Sequence, residues 1–243
     1  MRRLKLLCLP YAGGSANLYA AWRRRFQAGI ACMPIELTGR GVRRQLAFYE
    51  GMKDAAEDVV EQMMNHVTDR EPYALFGHSM GGMIAYEAAH LILERQLPPP
   101  ALLIFSGRPA PHVERTDANI HQLPDADFMK RIEEMGGTPS ELFADQQLRN
   151  IFLPVLRADF RLVETYVYKP RAPLPYRFLV VAGTTERWTD EQLNGWHSHT
   201  SAGCRITRLE GGHFYWNGNP EPITSLLSEE LQFLHANIGW ERG

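Results

Sequence analysis

The chain of 243 residues is predicted to be an α/β protein, with a mostly parallel central sheet covered by helices on both faces. Three observations predict this class. Short apolar runs alternate with longer segments of helical periodicity, as in repeated strand–helix–strand units. Several runs are almost entirely apolar, which is typical of strands buried on both faces. Hydrophobic residues make up 44 % of the chain, which is enough for one sizeable core.

The predicted strands are short apolar runs that end at turn-forming residues. The first run ends at a turn that begins with Pro10 and contains Gly13 and Gly14. The fourth run lies between three consecutive prolines and Gly107. The predicted strands are residues 4–9, 30–37, 73–76, 102–105, 177–182 and 205–209.

The predicted helices carry apolar residues three or four positions apart. The first of them contains three consecutive arginines, Arg23, Arg24 and Arg25. Outside the long interval described next, the predicted helices are residues 18–26, 53–67, 80–93 and 222–236.

Residues 107–175 form an interval far longer than a crossover between parallel strands requires. Helical patterning runs from Leu123 to Gly137 and returns in a second helix, which Pro154 is expected to break or restart. We interpret the interval as a helical lid over the carboxyl edge of the sheet, inserted in a single domain of residues 1–243. An ordinary extension without a gating role fits this position equally well, because surfaces tolerate long insertions. The apolar stripe of the second helix comprises Leu148, Ile151, Phe152, Val155, Leu156, Phe160, Val163 and Val167.

Charge and cysteine content exclude several classes of protein. A net charge of −2 and an isoelectric point near 6.5 predict no general affinity for nucleic acid. Cys8, Cys32 and Cys204 are too widely spaced for a metal site or a disulfide framework, so we expect no metal and a reducing, cytoplasmic location. The apolar segment at the amino terminus is short and interrupted by Lys5, unlike a signal peptide. No apolar run approaches the ~20 residues that span a membrane.

The pentapeptide Gly77-His78-Ser79-Met80-Gly81 follows a predicted strand directly and opens a predicted helix. A strand that reverses sharply into a helix holds one residue in a strained turn, and flanking glycines let the backbone pass closely on both sides. The residue at the apex is Ser79, which is therefore placed for nucleophilic attack. A chance match is the competing interpretation, and the strand–turn–helix context disfavours it.

A serine nucleophile needs a general base, and His213 is the candidate among nine histidines. It follows the last predicted strand through Gly211 and Gly212 and precedes the last helix, although a surface histidine would fit there too. His78 adjoins Ser79 and is expected to point away from the site. The remaining histidines are expected to be solvated or to cap helices. They are His66, His90, His112, His121, His197, His199 and His235.

The base needs an acid to orient it, and the chain order on such sheets is serine, acid, histidine. Glu186 follows the strand at residues 177–182 and is the favoured acid. Asp190 is the alternative, but its place near a helix start suits a cap better. Asp159 lies in the lid pattern and is expected to be structural.

A developing oxyanion needs two backbone N–H donors. One is predicted to come from Met80, the residue after the nucleophile. The other is predicted to come from Ala12, in the glycine-rich turn after the first strand.

Five motifs, in this order, resemble those of the type II thioesterases of polyketide and nonribosomal peptide synthesis. The resemblance covers nearly the whole chain. It implies an α/β-hydrolase fold with a helical lid, and hydrolysis of acyl or aminoacyl thioesters on carrier proteins. It places the nucleophile at Ser79, the base at His213, and the oxyanion donors at Ala12 and Met80. The motifs are Pro10-Tyr11-Ala12-Gly13-Gly14, Gly39-Arg40-Gly41, Gly77-His78-Ser79-Met80-Gly81-Gly82, Leu153-Pro154-Val155-Leu156-Arg157-Ala158-Asp159-Phe160 and Gly211-Gly212-His213-Phe214.

The chain departs from this family at two positions. The family usually has an aspartate where this chain has Glu186, which weakens the assignment of the acid although glutamate can play the same role. The family often has a proline where this chain has Thr38, which affects only the local loop shape.

The resemblance also implies a protein partner, a carrier protein bearing phosphopantetheine. We expect no cofactor, no nucleic acid, no membrane and a monomeric chain. A small-molecule carboxylesterase and a carrier-binding module with an inactive site are the alternative functions. Six arginines are candidates for contact with an acidic carrier protein, or form a solvated basic surface. They are Arg23, Arg24, Arg25, Arg40, Arg43 and Arg44.

Overall fold

The computed structural model describes residues 3–26, 29–67, 71–114, 119–138 and 141–237. Within this part of the chain, six strands form one sheet in the order β2-β1-β3-β4-β5-β6, and every neighbouring pair is parallel. The predicted strands are confirmed, although β2 ends at Pro34, three residues earlier than predicted. The strands are β1 Leu4–Leu9, β2 Ile30–Pro34, β3 Tyr73–His78, β4 Leu102–Ser106, β5 Phe178–Gly183 and β6 Cys204–Leu209.

The parallel arrangement brings the carboxyl ends of all strands to one edge of the sheet. Ala12 follows β1, and Ser79 follows β3. Glu186 follows β5, and His213 follows β6. The predicted site residues therefore converge on a single edge, which is where open parallel sheets place their ligands.

Seven α-helices accompany the sheet in the described ranges. Three of them, α3 to α5, lie between β4 and β5, in the interval predicted to be a lid. None of the described helices is both long enough and apolar enough to cross a lipid bilayer. The helices are α1 Met52–Met64, α2 Met80–Glu94, α3 Asp125–Met135, α4 Glu141–Ala144, α5 Gln146–Glu164, α6 Asp190–Asn194 and α7 Glu221–Asn237.

The helix predicted at residues 18–26 is wrong. The chain forms two short 3₁₀ turns there, Ala16–Tyr19 and Trp22–Arg24. Tyr19 and Trp22 are both buried, and their rings meet edge to face at 5.0 Å. A spacing of three residues matches the 3₁₀ repeat, so the tighter turn buries both rings side by side.

The strands bury side chains on both faces of the sheet. In β1, Leu7 joins the core formed with α1 and α2, whereas Leu6 and Cys8 join the core on the α7 side. Trp22 and Trp216 pack at 5.3 Å in the second core. This alternation confirms the prediction of a sheet covered by helices on both faces.

Two expectations about α5 are wrong. The helix runs through Pro154 without a break, because this residue faces solvent and the hydrogen bond that it removes lies on the outer side. The predicted apolar stripe is buried only from Val155 onward, whereas Leu148 and Ile151 are 37 % and 62 % exposed. Val167 lies beyond the helix end and is exposed. The helix therefore packs on the molecule through its second half.

The histidines expected to be solvated include two that are buried, His90 and His199. The Nδ1 atom of His199 is 2.9 Å from the hydroxyl of Tyr86, and its Nε2 atom is 2.7 Å from Nδ1 of His112. Burial lowers the pKa of both buried rings to about 4. His121 is half-buried against Glu164, whereas His66 and His197 are exposed as expected. The side chain of His235 lies outside the described residues.

Replacing His90 by glutamine is expected to reduce the loss of stability on acidification. Burial lowers the pKa of His90 from 6.5 to about 4, so the unfolded chain binds this proton first as the pH falls. The stability that neutral His90 contributes is therefore fully present above pH 6.5, the pKa of this ring in the unfolded chain. It is lost as the pH falls toward about 4, the pKa in the folded protein. Urea unfolding at about pH 7.5 and about pH 5 measures the difference.

The exposed His197 provides the matched control. The variant His197→Gln should lose as much stability as the wild type between these two pH values. An equal loss in His90→Gln would show that His90 is not part of the acid sensitivity.

Candidate active site

The predicted turn at Ser79 is present and strained. Ser79 lies between β3 and α2 with φ 52° and ψ −111°, in a region that side-chain-bearing residues rarely adopt. A Cβ on Gly77 would lie 2.1 Å from the carbonyl oxygen of Gly81. A Cβ on Gly81 would lie 2.5 Å from the carbonyl oxygen of Leu9. Both glycines are therefore required sterically, as the sequence predicted.

His213 and Glu186 are in direct contact. The Nδ1 atom of His213 is 2.5 Å from Oε1 of Glu186, whose side chain is only 3 % exposed. The second carboxylate oxygen accepts the N–H of Gly183 at 3.1 Å, so the glutamate side chain folds back over its own turn. This conformation accommodates the methylene by which glutamate exceeds aspartate.

Asp190 contacts a different residue. It lies at the start of α6, is 84 % exposed at its side chain, and binds Arg208 at 2.8 Å. The expectation that Asp190 caps α6 is wrong, because Thr189 accepts the N–H of Gln192 and forms the cap. The carboxylate beside the imidazole of His213 is that of Glu186.

Ser79 and His213 line the same cavity, which has a volume of about 430 Å³. The backbone N–H of Ser79 donates to the carbonyl of Ser106 at 2.7 Å, and the His213 ring lies against the next residue, Gly107. No hydrogen bond joins the side chains of Ser79 and His213, which are both described. Such bonds are often long in unliganded sites and shorten when substrate binds.

The two predicted oxyanion donors lie on adjacent segments. Met80 begins α2, and Ala12 lies in the turn after β1, against which Gly81 packs. In that turn the N–H of Gly13 donates to Asp159 at 2.7 Å, and the N–H of Gly14 donates to Tyr11. Among the described residues, the N–H groups of Ala12 and Met80 have no hydrogen-bond acceptor.

A buried ion pair connects α5 to this turn. Both oxygens of Asp159 on α5 bind Arg40, at 2.6 and 2.7 Å, and the two side chains are only 3 % and 5 % exposed. Burial lowers the pKa of Arg40, but the Asp159 carboxylate outweighs burial and the net pKa is raised. Arg40 also donates to the carbonyl of Gly14.

The buried pair contradicts the expectation that Arg40 contacts a partner and agrees with a structural role for Asp159. Arg40 is not available to a partner, and Arg43 is mostly buried against Asp58. Asp159 is structural, as expected. Arg40 was missed as a structural residue because its neighbours in sequence, Gly39 and Gly41, mark a surface loop.

The cavity has an apolar wall on the lid side. Its polar side includes Arg108, Glu114 and Gln192. Phe214, next to His213, packs on the turn after α3, where a Cβ on Gly137 would lie 2.3 Å from the Phe214 ring. The site is therefore a largely apolar slot that includes Ser79. The lining residues from α3, the turn after it and α5 are Ile132, Met135, Gly136, Thr138, Leu156, Phe160 and Val163.

Replacing Asp159 by alanine is expected to cost about 3–5 kcal/mol of stability, because Arg40 would be left buried without its counter-charge. The matched control is Asp125→Ala, which removes a 68 % exposed partner of Arg157 on the same lid. That change should cost about 0–1 kcal/mol. Urea unfolding of both variants measures the difference, and equal costs would contradict a structural role of the buried pair.

Comparison with known proteins extends this description. The thioesterase domain family matches residues 4–231. The thioesterase PikA5 of Streptomyces venezuelae is 32 % identical over 94 % of this chain and 81 % of its own length. The structure of ClbQ from the colibactin nonribosomal peptide and polyketide pathway superposes with a TM-score of 0.90, at 33 % identity over 96 % of this chain and 99 % of ClbQ.

The structure of BorB, a type II thioesterase from the borrelidin biosynthetic cluster, superposes with a TM-score of 0.84. It is 30 % identical over 94 % of this chain and 93 % of its own. The parallel sheet with its helices agrees with these matches. The chain therefore belongs to the thioesterase family, as a type II thioesterase with the α/β-hydrolase fold.

Proposed function

We propose that this thioesterase hydrolyses acyl, aminoacyl or peptidyl thioesters on the phosphopantetheine arms of carrier proteins. The reaction proceeds through an acyl-serine intermediate on Ser79. The observation that carries the proposal is the slot lined by Ala12, Ser79 and the contacting pair of His213 and Glu186. The named pathways of ClbQ and BorB support the substrate class.

Acylation begins when Ser79 attacks the thioester carbonyl. His213 removes the hydroxyl proton through Nε2, because its Nδ1 atom is held by Glu186. The buried carboxylate fixes the ring orientation and stabilises the imidazolium that forms. The strained turn exposes Ser79 to the substrate without any rearrangement of the sheet.

The N–H groups of Ala12 and Met80 bind the oxyanion of the tetrahedral intermediate. Their position costs no reorganisation during the reaction, because the glycine-rich turn and the start of α2 already hold them. The intermediate collapses as the pantetheine thiol leaves with the proton from His213. Water, activated by the same imidazole, then hydrolyses the acyl-serine.

The interval at about residues 107–175 acts as a lid within a single domain of residues 1–243. Its support is the apolar wall that α3 and α5 contribute to the slot. This wall accommodates an acyl chain and limits bulk water at the acyl-serine. The apolar lining favours acyl groups of low polarity.

The partner is a carrier protein, and the enzyme acts as a cytoplasmic monomer. Arg23, Arg24 and Arg44 are exposed and are the arginines that remain candidates for contact with an acidic carrier. Arg25 is also exposed but lies 3.7 Å from Glu221.

Ser79→Ala and His213→Ala are expected to abolish hydrolysis of acyl-carrier protein. Glu186→Gln should lower kcat by at least about 10³-fold, because it removes the charge that holds the imidazole. Asp190→Asn is the matched control and should leave kcat within about twofold, since a surface ion pair contributes little. A greater loss in Asp190→Asn than in Glu186→Gln would mean that the acid is misassigned.

Carrier protein dependence separates this function from that of a small-molecule esterase. We expect kcat/KM for an acyl-carrier protein to exceed that for the same acyl group on free pantetheine or on nitrophenol by at least about tenfold, as protein contacts add binding energy. Equal values would support the carboxylesterase instead. Labelling of Ser79 by a fluorophosphonate tests whether the site is active at all, and an intact but unlabelled protein would indicate a binding module.

A further inference from the structure

His78 lies beneath the active site and has no role in the mechanism above. It is fully buried, and its ring centroid is 4.9 Å from that of His213. A Cβ on Gly107 would lie 3.1 Å from Nε2 of His78 and 3.2 Å from Cε1 of His213. The two rings thus lie beside the space that a side chain at position 107 would occupy. Gly107 also has a φ of +66°, which itself favours glycine.

A chain of hydrogen bonds fixes the His78 ring. The hydroxyl of Tyr215 is 2.6 Å from that of Ser106, which is 2.7 Å from Nδ1 of His78. The indole N–H of Trp216 also donates to this Nδ1 atom, at 3.4 Å. An indole nitrogen only donates, so Nδ1 is an acceptor and the neutral ring carries its proton on Nε2. Burial, with His213 nearby, lowers the pKa of His78 well below its usual value, which keeps the ring neutral.

The Nε2 atom of His78 is buried and has no hydrogen-bond partner among the described residues. The backbone of His213 lies close to the His78 ring, because its carbonyl favours the protonated form and opposes the lowering of the His78 pKa. The geometry of a hydrogen bond is nevertheless not reached. Buried donors without an acceptor are costly and rare, so this one calls for an explanation.

Two hydrogen bonds of His213 are therefore absent, one from its side chain and one to its backbone carbonyl. The side chain of His213 does not reach Ser79, and its carbonyl does not reach Nε2 of His78. We propose that His78 is a positioning residue for the base, whose Nε2–H donates to the His213 carbonyl when the imidazole moves onto Ser79. This inference rests on the proposed roles of Ser79 and His213.

The surroundings support such coupling. Ser106 accepts the N–H of Ser79 through its carbonyl and binds His78 through its hydroxyl, so one residue contacts both the nucleophile and the positioning ring. The other titratable groups against the two rings are Tyr11 after β1, Glu186 after β5 and Tyr215 after β6. Glu186 contacts only the far side of His213, through Nδ1. The titratable ring nearest to His78 is thus that of His213 itself.

Two isosteric variants test the proposal. Glutamine places an amide nitrogen where His78 has Nε2, whereas asparagine places its amide where His78 has Nδ1. We expect His78→Gln to keep most of the kcat for acyl-carrier protein. His78→Asn should lose about five- to tenfold in kcat, the effect of one ordinary hydrogen bond, with KM unchanged. Equal kcat values in the two folded variants would overturn the proposal.

The tautomer gives a second measurement that does not depend on turnover. Nitrogen-15 NMR of labelled histidines should show His78 neutral at about pH 7 with the proton on Nε2. A proton on Nδ1, or a charged ring, would overturn the proposal even where neither variant folds. Failure of the proposed function is distinguishable, because it would appear as activity retained in Ser79→Ala or absent from the wild type.

Discussion

The ion pair between Arg40 and Asp159 connects three parts of this molecule that are distant in sequence. It joins the loop after β2, the lid helix α5 and the turn that contains Ala12. An isolated charge at either position would be strongly unfavourable so far from solvent, so each side chain is acceptable only because the other is present. Helix α5 and the turn that contains Ala12 are consequently fixed relative to each other. The shape of the slot depends on this fixed relation.

Much of the fold could be predicted because periodicity and turn residues were unambiguous. The strands were nearly all apolar and ended at Pro or Gly, which leaves little choice of element. Parallel strands then bring their carboxyl ends together, so the sequence alone places residues such as Ser79 and His213 at one edge. The contact of Glu186 with His213 also agrees with its position after β5.

The errors have a common physical cause, which is that sequence does not reveal burial. Arginine and histidine are usually solvated, but Arg40 and His199 are buried because partners far along the chain supply a charge or hydrogen bonds. His90 is buried as well, with its ring edge-on to that of Tyr86. Pro154 is the opposite case, because its exposure to solvent is what the sequence does not reveal. A proline is tolerated within a helix when it faces solvent, and periodicity alone could not decide which way it faced.

The turn after α3 has a consequence for redesign of substrate range. Gly137 has no room for a side chain, because the Phe214 ring next to the base occupies that space. Mutational libraries aimed at larger or smaller acyl groups should therefore leave this turn unchanged. Ile132 and Met135 line the slot from the same helix without this restriction, and they are the positions at which its capacity can be altered while the imidazole stays in place.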